Sequence, residues 1–238
     1  MKKLLLSAFV ICLAGTSIAQ ESPLWMRHCA LSPDGNTIAF TYKGDIYTVP
    51  STGGRATQIT TNPAFDTEPV WSPDSKQIAF ASDRMGSLDV FVVSSEGGAP
   101  QRLTTHSGSE KPVAYKDNKH ILFTANIAPS AEDAGFPSGQ FQQVYEVAVT
   151  GGRPAMFSSM PMECISINKE GVMLYQDKKG YEDYWRKHQV SPIARDIWTY
   201  TPGKKPVYQK QTTFGGEDRE PVWSPDGKSF YYLSEEKG

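Results

Sequence analysis

Side chains that carry enzyme chemistry are scarce in this sequence, and those present form no known catalytic pattern. The chain of 238 residues has four histidines, with no pair at metal-ligand spacing, and three cysteines that form no cluster. It also lacks a glycine-rich phosphate-binding loop and a Gly-x-Ser-x-Gly nucleophile elbow. The sequence therefore predicts no catalytic residue, no metal site and no cofactor within this chain.

A surplus of charge of either sign is also missing. The chain has 24 lysines and arginines against 26 aspartates and glutamates, a formal net charge of −2, and the two signs are interspersed. Proteins that bind nucleic acid carry a basic patch or stripe, and none is present here. The charge pattern thus predicts no nucleic-acid partner, and the 39% hydrophobic content is that of an ordinary globular domain.

Long apolar runs are absent except near the start of the chain. Residues 1–19 combine a positive end at Lys2 and Lys3, a short apolar stretch and small residues before Gln20, which is the pattern of a secretory signal peptide. The apolar stretch is shorter than the roughly 20 residues that span a bilayer. We therefore predict an exported, periplasmic protein that begins at Gln20 and has no membrane span after signal cleavage.

The main positive signal is a repeat. Residues 68–104 contain four short stretches of strand-forming residues separated by turns such as Pro73-Asp74-Ser75 and Gly97-Gly98. The pattern recurs around acidic turn residues that lie 40 to 56 residues apart. These residues are Asp34, Asp74, Asp117, Glu170 and Asp226. Periods of about 40–50 residues with four strands each indicate a β-propeller.

The repeat predicts an all-β fold, a β-propeller of four-stranded antiparallel blades, with four and a half blades present of six. The propeller would occupy residues 20–238. The predicted blades cover residues 24–61, 66–105, 110–158, 162–213 and 218–238. Because the fifth blade stops after two strands, we expect the chain to be an N-terminal fragment of a longer protein.

Export permits disulfides, and two cysteines follow the signal peptide. Cys29 and Cys164 fall in the first strands of the first and fourth blades. In a six-bladed ring these strands line opposite sides of the channel, farther apart than the roughly 7 Å between Cα atoms that a disulfide allows. We predict two free, partly buried thiols.

Aspartates recur at two positions of the repeat. One set lies in Pro-Asp-Gly-like turns, and the other set opens the third strand of a blade at Asp45, Asp89 and Asp196. A carboxylate that recurs once per blade usually ties a turn to neighbouring backbone N–H groups. We interpret both sets as structural rather than catalytic.

Two long insertions separate the second and third strands of blades three and four. They cover residues 126–143 and 176–195, and the meander places both on the face that carries the links between blades. The second insertion groups aromatic and basic residues that suit docking to a partner or to a peptide carboxylate. These candidate binding residues are Tyr184, Trp185, Arg186, Lys187, His188 and Arg195. Alternatively, Tyr184 and Trp185 fold back over the blade edge and the charges are merely solvated.

The turn sequences Trp71-Ser72-Pro73-Asp74 and Trp223-Ser224-Pro225-Asp226-Gly227 resemble the propeller repeat of TolB, tricorn proteases and prolyl-oligopeptidase-type peptidases. Residues 134–147 and 180–200 are similar to loops of the first propeller of tricorn-like serine proteases. This resemblance implies a six-bladed propeller followed by a second propeller and a serine peptidase core with a PDZ domain. It also implies that the propeller filters peptides or unfolded polypeptide for protease domains of the same parent chain, and a homo-oligomer is one assembly that it allows.

We expect this chain to be the propeller segment of an exported tricorn-like serine peptidase that gates or binds peptides. No catalytic residue is carried over, because the peptidase core is not in these residues. Two alternatives remain open. One is a non-enzymatic TolB-like propeller that binds proteins of the cell envelope, and the other is a prolyl-oligopeptidase-type enzyme.

Overall fold

The structure, a computed structural model, describes residues 25–127, 141–180 and 190–237. These residues form eighteen β-strands. The strands of the first two blades are β1 (Arg27–Leu31), β2 (Thr37–Tyr42), β3 (Asp45–Pro50), β4 (Thr57–Gln58), β5 (Asp66–Trp71), β6 (Gln77–Ser82), β7 (Asp89–Ser94) and β8 (Gln101–Arg102). The others are β9 (Lys111–Asp117), β10 (His120–Ala125), β11 (Gln143–Ala148), β12 (Ala155–Ser158), β13 (Met162–Ile167), β14 (Met173–Asp177), β15 (Ile197–Thr201), β16 (Val207–Lys210), β17 (Asp218–Trp223) and β18 (Phe230–Ser234).

Consecutive strands pair with one another, and every pairing is antiparallel. Strands β1–β4, β5–β8, β9–β12 and β13–β16 make four four-stranded sheets, and β17–β18 makes a two-stranded one. The predicted fold is confirmed: four complete blades of a β-propeller are followed by half of a fifth. Among the described residues, no helix is long and apolar enough to cross a membrane.

The hydrophobic core lies between the blades rather than within one sheet. Each blade presents apolar side chains on both of its faces, so that consecutive blades share a buried layer. The layer between blades one and two contains Ala39, Ile46, Ile59, Trp71, Ile78, Phe80, Phe91 and Val93. Similar layers join blade two to blade three and blade three to blade four. The indole N–H of Trp71 adds a hydrogen bond to the carbonyl of Ala30 in the preceding blade, at 2.9 Å.

Three of the turns between first and second strands share one hydrogen-bond pattern. In blade two, the Ser72 hydroxyl donates to Asp74 Oδ1 at 2.7 Å, and Asp74 Oδ1 accepts from the backbone N–H of Lys76 at 3.2 Å. The same bonds occur around Asp34 and Asp226. The serine hydroxyl is the main cause of the lowered pKa of all three carboxyls. The structural interpretation of the turn aspartates is confirmed.

The aspartates that open the third strands are structural too, but their predicted backbone partners are wrong. Asp45 accepts from the side chains of Gln58 and Thr60 at 3.0 and 3.3 Å. Asp89 lies 2.9 Å from Arg102, and Asp196 lies 2.9 Å from Lys210. The reason is position: these carboxyls lie beside the fourth strand of their own blade or the residues just after it, which supply the side-chain partners. The nearby backbone N–H groups of Ile46, Val90 and Ile197 donate instead to Thr60, Thr104 and Thr212.

Candidate functional site

A cavity of about 560 Å³ lies where the first strands of blades one to four face one another. Its size is within the range of about 300–1,000 Å³ that is usual for ligand sites. Polar groups at its wall come from His28, Glu68, Thr124, Gln142, Glu163 and Lys178. Most of the remaining wall is apolar and includes Val70, Val113 and three prolines. The cavity is therefore an apolar space with polar groups around it.

A β-bulge in the first strand of a blade directs side chains toward this cavity. The pairing of β1 with β2 shifts register between Arg27 and Ala30, and β5 with β6 shifts between Thr67 and Val70. Corresponding shifts occur in β13 and β17. Each bulge holds a non-glycine residue in the left-handed region: His28 (φ 50°), Glu68 (φ 54°), Cys164 (φ 52°) and Glu220 (φ 53°).

Such residues cost on the order of 1–3 kcal/mol each and cluster at functional sites. Three of the four bulge residues, His28, Glu68 and Cys164, line the cavity. The strained conformation occurs at one place in blades one, two and four and in the half-blade, and its presence at three positions of the wall supports a functional role for the cavity.

The charges beside the cavity are paired with one another. Lys111 donates to Glu68 at 2.7 Å, and Lys178 donates to Glu163 at 2.9 Å. His28 Nδ1 lies 2.9 Å from the hydroxyl of Thr67. Burial alone would raise the pKa of Glu163, but hydrogen bonds from Lys178 and Gln176, with the charges of Lys178 and Arg195, lower it.

Both cysteines that follow the predicted signal peptide are free, as predicted. They are not partly buried, however: Cys29 and Cys164 are exposed and line the same cavity. The bulges explain the difference, because they place these side chains at the open inner edge of the blades. Although solvent reaches Cys164, desolvation by the surrounding protein and the carboxylates of Glu163 and Glu220 raise the pKa of its thiol to about 11.

Of the six candidate binding residues of the second insertion, Arg195 is described. Tyr184, Trp185, Arg186, Lys187 and His188 lie outside the described residues. The Arg195 guanidinium donates to Glu163 at 3.2 Å and to Glu217 at 3.3 Å, and these two carboxylates raise its pKa against the opposite effect of burial. Arg195 thus links blade four to the start of the half-blade, and its role in binding stays a prediction.

The two ends of the second insertion are held together where they leave the sheet. Lys179 forms an ion pair with Asp196 and donates to the carbonyl of Ala194 at 2.6 Å. Asp177 accepts from the backbone N–H of Asp196 at 2.8 Å and from the indole N–H of Trp198 at 3.0 Å. These contacts fix the base of the insertion next to blade four.

Sequence reasoning missed the cavity and most of the residues that form it. A signal was present, because the Glu-Pro-Val-Trp segment of blade two, residues 68–71, recurs in the half-blade at residues 220–223. Within the part of the chain that the structure describes, no group of three His, Cys, Asp or Glu side chains is arranged to hold a metal ion.

Four antiparallel sheets whose first strands surround a common cavity define a β-propeller. The chain belongs to the family of the tricorn protease N-terminal β-propeller domain, whose sequence profile matches residues 23–238.

Relatives of the chain include an uncharacterized peptidase and a putative protease subunit. It is 29% identical over 129 residues to the uncharacterized peptidase YuxL of Bacillus subtilis, covering 53% of this chain and 20% of YuxL. It is 22% identical over 189 residues to a putative tricorn-like protease N-terminal subunit of Sulfurisphaera tokodaii, covering 75% and 90% of the two chains. The chain therefore spans about a fifth of YuxL and most of the archaeal subunit.

Solved structures share the fold. The tricorn protease superposes with a TM-score of 0.65 at 15% identity, over 89% of this chain and 22% of that one. A putative TolB from Agrobacterium tumefaciens superposes with a TM-score of 0.57 at 22% identity, over 87% and 75% of the two chains. At these identities the likeness concerns the fold alone.

Proposed function

We propose that this chain binds extended peptides in its central cavity and gates them for a tricorn-like serine peptidase core that lies outside these residues. The observation that carries the proposal is the cavity of about 560 Å³ among the inner strands, with strained residues at its wall. The family of the chain and its peptidase relatives support the same role. The signal-peptide pattern of residues 1–19 supports export, which would make the substrates peptides of the periplasm.

Chemical blocking of the cavity tests this function. Cys29 is exposed at the cavity wall, whereas the Cys164 thiol, with a pKa of about 11, stays protonated near pH 7 and reacts slowly. A bulky maleimide should therefore attach mainly at Cys29 and occupy the cavity. We expect the affinity for a fluorescein-labelled unfolded peptide, measured by fluorescence anisotropy, to fall about tenfold or more, a loss of about 1.4 kcal/mol.

The control is Cys29→Ser treated with the same reagent, which should keep the affinity of the untreated protein. Mass spectrometry of the labelled protein confirms which thiol reacted. Equal peptide affinity before and after labelling of Cys29 contradicts the proposal.

A second candidate is a non-enzymatic propeller that docks to envelope proteins, as the TolB-like fold suggests. In that case the outer faces or loops would carry the contacts and the cavity would not. Absence of peptide binding, together with capture of a folded partner that labelling of Cys29 does not disturb, would favour this second function.

A further inference from the structure

We infer that the cavity selects peptides by accepting an uncharged, apolar side chain, and that it does not serve as a pocket for a charged side chain or a chain terminus. This inference rests on the proposed function and specifies the substrate class of the same site. Three features of the cavity support it: the chemistry of its wall, the pairing of its charges and its neutral hydrogen-bonding groups.

The wall is largely apolar. Its apolar residues come from three first strands and from the segment that leads into the fourth. They are Ala30, Pro69, Val70, Pro112, Val113 and Pro161. The side chains of Cys29 and Cys164 add to this surface, since a free cysteine behaves as a small apolar group. An apolar side chain of a peptide would leave water on entering this space, which is the main source of favourable binding energy.

Among the described residues, each carboxylate at the cavity wall already has a cationic partner. Glu68 is neutralised by Lys111 at 2.7 Å. Glu163 is neutralised by Lys178 at 2.9 Å and by Arg195 at 3.2 Å. A lysine or glutamate side chain that entered would lose hydration and would have to break one of these pairs to regain a partner. Both signs of charge are therefore disfavoured.

Two neutral side chains can bind the peptide backbone. Thr124 and Gln142 both line the cavity. Among the described residues, neither side chain has a hydrogen-bond partner. A peptide amide offers one donor and one acceptor whatever its side chain, and these groups suit it. Thr124 and Gln142 would thus add affinity for peptides in general, and the apolar wall would add the preference for an apolar side chain.

The test compares three peptides of equal length that differ only at a central residue, which is leucine, lysine or glutamate. Each is fluorescein-labelled, and its binding to the whole protein is measured by fluorescence anisotropy. Because burying a leucine side chain contributes an amount comparable to one decade of affinity, we expect the leucine peptide to bind about tenfold more tightly than the other two.

A pair of matched variants locates the selection. Val70→Asp places a carboxylate at the cavity wall, and Val222→Asp makes the same change in the equivalent Glu-Pro-Val-Trp segment of the half-blade. Val222 is 55% exposed and is not among the cavity residues. We expect Val70→Asp to abolish the preference for leucine and Val222→Asp to leave it intact. Gln142→Ala should lower the affinity for all three peptides by a similar factor.

The outcomes separate the two proposals. If the lysine or glutamate peptide binds as tightly as the leucine peptide, the apolar selection is wrong while peptide binding stands. If Val222→Asp removes the preference as fully as Val70→Asp does, the selection does not arise in this cavity. If no peptide binds, both the selection and the proposed function are overturned. Circular dichroism of each variant checks that it is folded. The comparison of the three peptides on the unmodified protein tests the apolar selection without any variant.

Discussion

Two aspartates at the same position of the repeat have opposite surroundings. Asp66 and Asp218 each begin the first strand of a blade, and both are completely buried. In blade two, Arg84 donates to both oxygens of Asp66 at 3.0 Å. The residue that corresponds to Arg84 in the half-blade is Glu236, and both oxygens of Asp218 lack a hydrogen-bond partner within the described residues. Burial of a charge is favourable only with a partner, so the same residue stabilises one blade and strains the other.

This contrast predicts opposite effects for the same substitution. Asp66→Asn should lower the free energy of unfolding by about 3 kcal/mol, because it breaks a buried ion pair. Asp218→Asn should raise the free energy of unfolding, because it removes a buried charge that has no partner. Urea unfolding of both variants and the unmodified protein measures the difference. If both variants were destabilised by a similar amount, Asp218 would have a stabilising partner in the folded protein, and the predicted contrast would be wrong.

At the scale of elements, the junction between blades two and three brings two acids into the interior. Asp89 opens β7, Glu110 immediately precedes β9, and both side chains are completely buried. Arg102 lies 2.9 Å from Asp89, whereas Glu110 accepts a hydrogen bond from the backbone N–H of His106 at 3.3 Å. Burial is the main cause that raises the pKa of both acids, and the charge of Asp89 raises that of Glu110 further. The junction therefore holds a proton more tightly than the unfolded chain does.

The raised pKa values predict that this junction loses stability as the pH rises. A group whose folded pKa is above its unfolded value contributes stability at low pH, and the contribution disappears as the pH passes through the folded pKa. Glu110→Gln imitates the protonated acid at every pH. We expect its free energy of unfolding, relative to the unmodified protein, to increase as the pH is raised from about 4, the ordinary range of a glutamate.

Urea unfolding across this pH range measures the effect, with Glu236→Gln at an exposed position as the control. A difference between Glu110→Gln and the unmodified protein that stays constant with pH would mean that the pKa of Glu110 is the same in the folded and unfolded protein.

The elements themselves could be predicted, and the arrangement of the site could not. The strands of blade two follow from local signals, since β-branched and aromatic residues alternate with turns such as Pro73-Asp74-Ser75. The bulges left a weaker signal: histidine, glutamate and cysteine occupy positions where a glycine would have indicated a positive φ, and the repeated Glu-Pro-Val-Trp segment marks two of the four bulges without revealing their conformation. The cavity depends on strands that lie about 40 residues apart in sequence, and pairs such as Glu68 with Lys111 arise only when the blades come together.

At the scale of the whole molecule, the half-blade differs from the four complete blades. Within the described part of the chain, β18 pairs with β17 alone. Tyr231 and Leu233 on β18 are 69% and 60% exposed. A strand edge with apolar side chains is a template for pairing with another strand.

We therefore expect this chain of 238 residues to self-associate as its concentration rises. Leu233→Lys should reduce the association, because a charge on an edge strand opposes pairing between copies. Light scattering after size-exclusion chromatography measures the average mass of each variant. Met85→Lys is the control, since Met85 is 61% exposed but lies on a turn rather than an edge. A monomeric mass at every concentration of the unmodified chain would contradict this expectation.

The prolines of the inner strands have a consequence for how a bound chain can leave. Strands β5, β9 and β17 are the inner edges of their sheets, and they contain Pro69, Pro112 and Pro221. A proline has no N–H group, so each of these edges lacks one donor of the hydrogen-bonded ladder that it would form with a polypeptide lying alongside it. A chain inside the propeller would be held by side-chain contacts that break one at a time. Under the proposed function, transit would then be rapid, and the propeller would avoid seeding a β-aggregate at its own centre.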